Sequence, residues 1–121
     1  MTTDSTDFEL HFPGLNYCGP FTDLVKRLEV DGKTPKACYK PKDRVDEISL
    51  KHDLYYTEHT NQRERIVGDN IMLEELREIE QPTCRECFER AIITPLLKLK
   101  RNIATLCFYI IDRFSNKTMR I

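Results

Sequence analysis

The chain has 121 residues, 40% of them hydrophobic and 32% charged, with 19 Lys and Arg against 20 Asp and Glu. That length and balance predict one small globular domain and exclude a basic nucleic-acid binder as the first reading. Four Gly and six Pro exclude a collagen-like or low-complexity chain, and 9% aromatics without Trp argue against a stacking platform for single strands.

Residues 1–10 hold Asp4, Asp7 and Glu9 and no apolar run, so they do not read as a secretory signal, and residues 1–11 are expected to form a flexible tail. Five cysteines, an odd number, point the same way, toward a reduced and intracellular protein rather than a disulfide scaffold. Residues 11–42 read as loop, because Pro13, Gly14, Gly19, Pro20, Gly32, Pro35 and Pro41 interrupt any regular element; a short turn across Phe21–Leu28 is the exception. A long ordered loop in a small domain tends to carry function.

From Lys42 the pattern becomes helical. Val45, Ile48, His52, Tyr55, Tyr56 and His59 recur at helical spacing, with Asp43, Asp46 and Glu47 at the start, where the helix dipole favours acids. The pattern dissolves at Thr60-Asn61-Gln62 and resumes near Arg65, with Ile66, Asp69, Met72, Leu73, Leu76 and Ile79 on one face. Gln81-Pro82-Thr83 ends that helix, and Thr83 is suited to cap a third from Cys84 to about Thr94. Pro95 is expected to kink or restart it before a further stretch from Leu96 to Phe114. The fold class predicted is all-α, with residues 12–80 as the functional core and 84–114 as a C-terminal helical segment.

Two polar residues stand on apolar stripes, His52 on the first helix and Asp69 on the second. Both lie equally far from the Thr60–Asn61 turn, about 13 Å along each helix at ~1.5 Å per residue. In an antiparallel pair they meet across the seam. The contact serves either packing alone or catalysis, in which a carboxylate fixes the tautomer of a general base. Asp53 projects beside His52 and is either a solvated helix residue or a carboxylate for a hard cation. Carbonyls of the loop Tyr17-Cys18-Gly19-Pro20-Phe21 would complete the second arrangement.

These residues resemble a known family. His52-Asp53-Leu54-Tyr55-Tyr56 has the His-Asp-x-x-Tyr form of phospholipase A2, and Tyr17-Cys18-Gly19-Pro20-Phe21 is similar to its calcium loop. The compact version in the unique N-terminal region of parvovirus minor capsid proteins is the most similar: Asp46 to Lys51 resembles its helix, and Gly68-Asp69-Asn70 stands where its second catalytic Asp falls. Two departures stand out. Phe21 occupies a position where secreted relatives often have Gly, and the separation of 17 positions from His52 to Asp69 is shorter than is usual in parvoviruses.

The resemblance implies a calcium-dependent hydrolase of the sn-2 ester of glycerophospholipids, with a phospholipid membrane as substrate and no nucleic-acid partner. It implies His52 as the base, Asp69 as its orienting partner, Tyr56 as a hydrogen-bonding support to Asp69, and the Gly19 N–H at the oxyanion. It implies calcium on Asp53 and the carbonyls of Tyr17, Gly19 and Phe21. It also implies a viral capsid context, with action on the endosomal membrane during penetration; outside that context the lack of a secretory signal in residues 1–10 points to a cytoplasmic location. The alternative is a non-catalytic lipid- or partner-binding domain of the same fold. Cys84-Arg85-Glu86-Cys87 reads as ordinary thiols before a redox pair or half a metal site. Residues 84–121, with 8 basic and 3 acidic residues, read either as an anionic-membrane surface or as a solvated basic face.

Overall fold

The computed structural model describes residues 12–19 and 22–119, with side chains as far as residue 115. The expected tail, together with Pro20 and Phe21, lies outside the described residues. Four helices make up the described chain: α1 (Leu24–Arg27), α2 (Arg44–Glu58), α3 (Gln62–Arg77) and α4 (Cys84–Met119), with a 3-10 turn at Ala37–Tyr39. The fold is all-α, as the sequence predicts. An isolated bridge between Leu28 and Pro35 closes the loop after α1.

The helix starts follow from side chains that satisfy the first free N–H groups. Asp43 caps α2 by accepting the Asp46 N–H at 2.9 Å, and Asn61 caps α3 by accepting from Arg63 at 2.8 Å and Glu64 at 3.4 Å. At α4 Thr83 and Glu86 form a reciprocal box: the Glu86 N–H donates to Thr83 Oγ1 at 3.1 Å, and the Thr83 N–H to Glu86 Oε1 at 3.0 Å. α3 thus begins at Gln62, three residues before the apolar pattern resumes. Its first turn, Gln62–Glu64, is exposed, so no stripe marks it.

Pro95 does not restart a helix; α4 runs through it as one 36-residue element, about 54 Å long. Its missing N–H leaves the carbonyl of Ala91 without a helical donor, and Ala91 is exposed, so that carbonyl is open to water.

Cross-contacts fix the packing. Lys51 pairs with Glu75, His52 with Asp69, and Gly68 approaches Tyr55, so α2 and α3 are antiparallel. Arg90 reaches the Leu76 carbonyl, Lys100 reaches Asp69 and Arg63 lies over Phe108, so α3 and α4 are antiparallel too. The α2–α3 approach is close because position 68 is Gly: a Cβ there would meet the Tyr55 ring at 2.6 Å. Arg44 ties the start of α2 to the start of α4 through two bonds to the Glu86 carboxylate, at 3.0 and 2.6 Å.

Leu15, Cys18, Val45, Ile48, Met72, Leu76 and Leu97 form the main core, while Tyr17, Leu28 and Leu50 form a second cluster under the loop. The N-terminal loop is therefore part of the packed interior. Among the described residues no helix is long and apolar enough to cross a membrane, and all five cysteines are free.

Candidate active site

The loop is placed by one buried carboxylate. Asp46 is fully buried and accepts the N–H groups of Asn16 at 3.0 and 3.1 Å, Tyr17 at 2.7 Å and Lys42 at 2.9 Å. Tyr17 adds a bond from its hydroxyl to the Tyr39 carbonyl at 2.6 Å, and burial pushes its phenol up to about 12. From that anchor the loop follows the α2 face that carries Asp46, Ser49 and Asp53, each about one turn beyond the last along that side. Cys18 is next, hydrogen-bonded to Ser49, its thiol raised to about 12 by burial and so held as an inert SH. Gly19 follows with φ 154°, a value residues with a Cβ rarely take.

Tyr17 and Gly19 line one cavity of about 680 Å³ together with His52, Asp53, Tyr56 and Lys100. Leu24, Met72, Ile93, Leu96 and Leu97 give it an apolar wall. Such a combination, a greasy slot with a few converging polar groups, suits a ligand with a long apolar part and one polar reacting centre.

Inside it His52 Nε2 is 2.7 Å from Asp69 Oδ1. The Tyr56 hydroxyl donates to the same oxygen at 2.6 Å, and Lys100 Nζ stands 3.3 Å from it. Asp69 is 1% exposed. Burial alone would raise its pKa; hydrogen bonds from His52 and Tyr56, helped by the Lys100 charge, outweigh burial and hold the carboxyl below its ordinary value. An ionised Asp69 accepts, so Nε2 of His52 carries the proton and Nδ1 of the neutral ring keeps its lone pair. That nitrogen lies 3.9 Å from Asp53 Oδ1. Burial acts against charging His52, but the two flanking carboxylates, Asp53 and Asp69, outweigh it and the imidazole sits above its ordinary value. Tyr56 is raised by burial first and then by the Asp69 charge, so it stays a donor.

Asp53 is the exception in this network. Its Oδ2 is buried and has no hydrogen-bond partner, and burial raises its pKa. A buried carboxylate oxygen left unpartnered, in a cavity that Tyr17 and Gly19 also line, fits a hard cation. Among the described residues no group of three or more His, Cys, Asp or Glu could hold a metal, so a cation here would draw on Tyr17 and Gly19 carbonyls as well as Asp53. Phe21, the remaining ligand implied by the resemblance, lies outside the described residues.

Sequence reasoning missed three contributors. Asp46 looked like a dipole acid, and its long-range bonds to Asn16 and Tyr17 have no local signature. Lys100 stands 31 residues from Asp69 and reads as one charge among several. Arg65 places its guanidinium over the Tyr56 ring at 4.6 Å while donating to the carbonyls of His59 and Tyr56.

A family model described as a phospholipase A2-like domain matches residues 8–100. Comparison with curated proteins and with solved structures gives no match.

Proposed function

The chain belongs to the phospholipase A2-like domain family, and from that premise we propose that it is a calcium-dependent enzyme hydrolysing the sn-2 ester of glycerophospholipids. The observation that carries this reading is the single cavity in which His52, held through Nε2 by Asp69, turns Nδ1 toward Asp53 beside Tyr17 and Gly19.

The residues divide the work as follows. His52 Nδ1 takes a proton from water, whose oxygen adds to the ester carbonyl. Asp69 and Tyr56 keep the ring in the tautomer and orientation this requires, and Asp69 offsets the positive charge that His52 acquires. The same imidazolium then returns its proton to the departing glycerol oxygen, giving a fatty acid and a lysophospholipid. The Gly19 N–H is the backbone donor for the developing oxyanion. Asp53 with the Tyr17 and Gly19 carbonyls would hold calcium, which when bound supplies positive charge to that oxyanion. The apolar wall takes the acyl chain. A viral setting, with the reaction breaching a host membrane during penetration, rests on the resemblance to parvovirus minor capsid proteins alone.

The deciding experiment is fatty-acid release from phospholipid vesicles with calcium and then with excess chelator. Calcium-dependent release from the sn-2 position is expected, and it should vanish in His52→Ala. No release in either condition, from folded protein, would replace this reading with a non-catalytic lipid- or partner-binding domain.

A further inference from the structure

Ile92, Leu96, Leu99, Ile103, Leu106 and Ile110 follow one another along α4 at alternating steps of four and three. All six are wet, between 37% and 61% exposed. Equivalent positions recur every seven residues, Ile92, Leu99 and Leu106 on one line and Leu96, Ile103 and Ile110 on the next, the spacing of a coiled-coil seam. The helix has already used another face for its own domain, where Leu97 is buried and Ile93 packs on the core. Beyond Arg101 the described side chains of α4 are exposed except for Ala104 and Phe108, which are half-buried. All of that stretch lies outside the family match, which ends at residue 100.

We propose that this seam docks a second copy of the chain, helix against helix, making a coiled-coil dimer through α4. Three observations select that occupant. The seam has the heptad regularity that packs knobs into holes. Its six side chains leave on the order of 600 Å² uncovered, and the flanking Pro95, Asn102 and Tyr109 bring this to what one partner gives a standard interface, about 800 Å². Charge placement opposes an anionic membrane: at 100° per residue Arg90, Lys98 and Arg101 lie roughly 120–180° round the helix from the seam. Lys100 is bound to Tyr56 and Asp69, and Arg113 lies against Tyr109. Leu96 belongs to both seam and cavity wall, so the partner helix runs along one lip of the cavity.

Sedimentation equilibrium of the full chain tests this. Wild type is expected to be dimeric in the micromolar range, and Leu99→Glu with Ile103→Glu to weaken association by at least about 100-fold, with helix content by circular dichroism unchanged. Leu99→Ala with Ile103→Ala, which leaves no charge on the helix, should weaken it by a smaller factor and covers the case in which the Glu variant unfolds. A monomeric wild type at about 100 μM, or a dimer indifferent to the Ala pair, would overturn the proposal. So would a monomer that binds vesicles of phosphatidylcholine with phosphatidylglycerol and loses that binding in the Ala pair, since the seam would then belong to lipid.

Discussion

Lys100 places its ammonium 3.3 Å from Asp69 Oδ1, the oxygen that already takes hydrogen bonds from His52 and Tyr56. Three donors from two helices thus converge on one buried carboxylate oxygen, and the cation among them comes from the helix that follows the α2–α3 pair. Lys100 also contacts the Tyr56 hydroxyl and lies 4.3 Å from the centre of its ring.

Lys100 is accordingly a positioning residue. Its charge holds Asp69 ionised and aimed at His52, without touching the reacting atoms. Lys100→Met is expected to lower kcat by about 5- to 10-fold with KM within about twofold, and Lys100→Arg to restore part of it. Steady-state kinetics on mixed micelles check this. A rise in KM at constant kcat would instead make Lys100 a contact for the lipid phosphate.

Asp53 separates cation binding from turnover. With Oδ2 buried and unpartnered, the carboxylate is a burden on the metal-free fold, and a cation relieves it. Calcium should therefore raise the Tm of wild type in a concentration-dependent way. Asp53→Asn should lose that rise while being at least as stable as wild type in chelator. Calorimetric scans with and without calcium give the answer, and an undiminished calcium shift in the variant would remove Asp53 from the ligand set.

Asp46 carries the loop. Asparagine at this position keeps one acceptor oxygen but turns an NH₂ toward the Asn16, Tyr17 or Lys42 N–H groups that the carboxylate now satisfies. Asp46→Asn is expected to cost about 3 kcal/mol, since buried bonds to charged groups are worth about 1.5–3 kcal/mol each. Urea denaturation measures it. Calcium affinity should fall in parallel, because Tyr17 and Gly19 lose their anchor; a stability loss with unchanged calcium affinity would show that the loop holds its place without Asp46.

What the sequence made legible was whatever has a local or periodic signature. His52 and Asp69 stand out because a His and an Asp on apolar stripes demand partners, and their equal distance from the turn pairs them. Thr83 declares itself as a cap at a helix start, whereas Asp43 reads only as a first-turn acid. Asn61 does not declare itself either, because the exposed turn after it has no apolar period, and the pause in the pattern looks like a longer break. Pro95 misleads for a related reason: propensity counts the lost donor, whereas the cost depends on whether the orphaned Ala91 carbonyl meets water. Asp46 reaches Tyr17 across 29 residues and Lys100 reaches Asp69 across 31, and an acid in a first turn or a lysine in a basic helix has no mark of such a partner. The α4 seam is visible as apolar residues, but periodicity cannot say which of two faces the domain covers.

Gly68 tests how tightly α2 and α3 must approach. In an ordinary helix interior Gly→Ala gains about 1 kcal/mol. At 68 the new methyl would fall 2.6 Å from Tyr55 Cδ1. The ring has no free path away, because it stacks on His59 at 3.9 Å between centroids. Gly68→Ala should therefore destabilise the protein, by about 1–3 kcal/mol as for other overpacked sites, and lower activity by spreading His52 from Asp69. Denaturation and turnover are measured together; a more stable variant would mean that Tyr55 swings aside at little cost.

Two acids on one face of α4 oppose each other in their pH dependence. Glu86 is held down to about 2 by the Arg44 guanidinium, against burial. Its folded pKa lies below the ordinary 4.5, so its stabilisation is present above 4.5 and lost as pH falls toward 2. Glu89 is raised to about 7, by burial first and then by the hydrogen bond with Asp43, with Arg85 opposing. Between 4.5 and 7 the unfolded chain has released that proton and the folded chain keeps it, so stability falls as pH rises through this window. Glu89→Gln replaces the shared proton with a permanent N–H toward Asp43 and keeps an oxygen for Arg85. The variant should match wild type near pH 4.5 and exceed it above pH 7, with a shallower fall between because the Glu89 contribution is gone. Urea midpoints at half-unit steps from pH 4 to pH 8 check this, and parallel curves for the two proteins would place the Glu89 proton elsewhere.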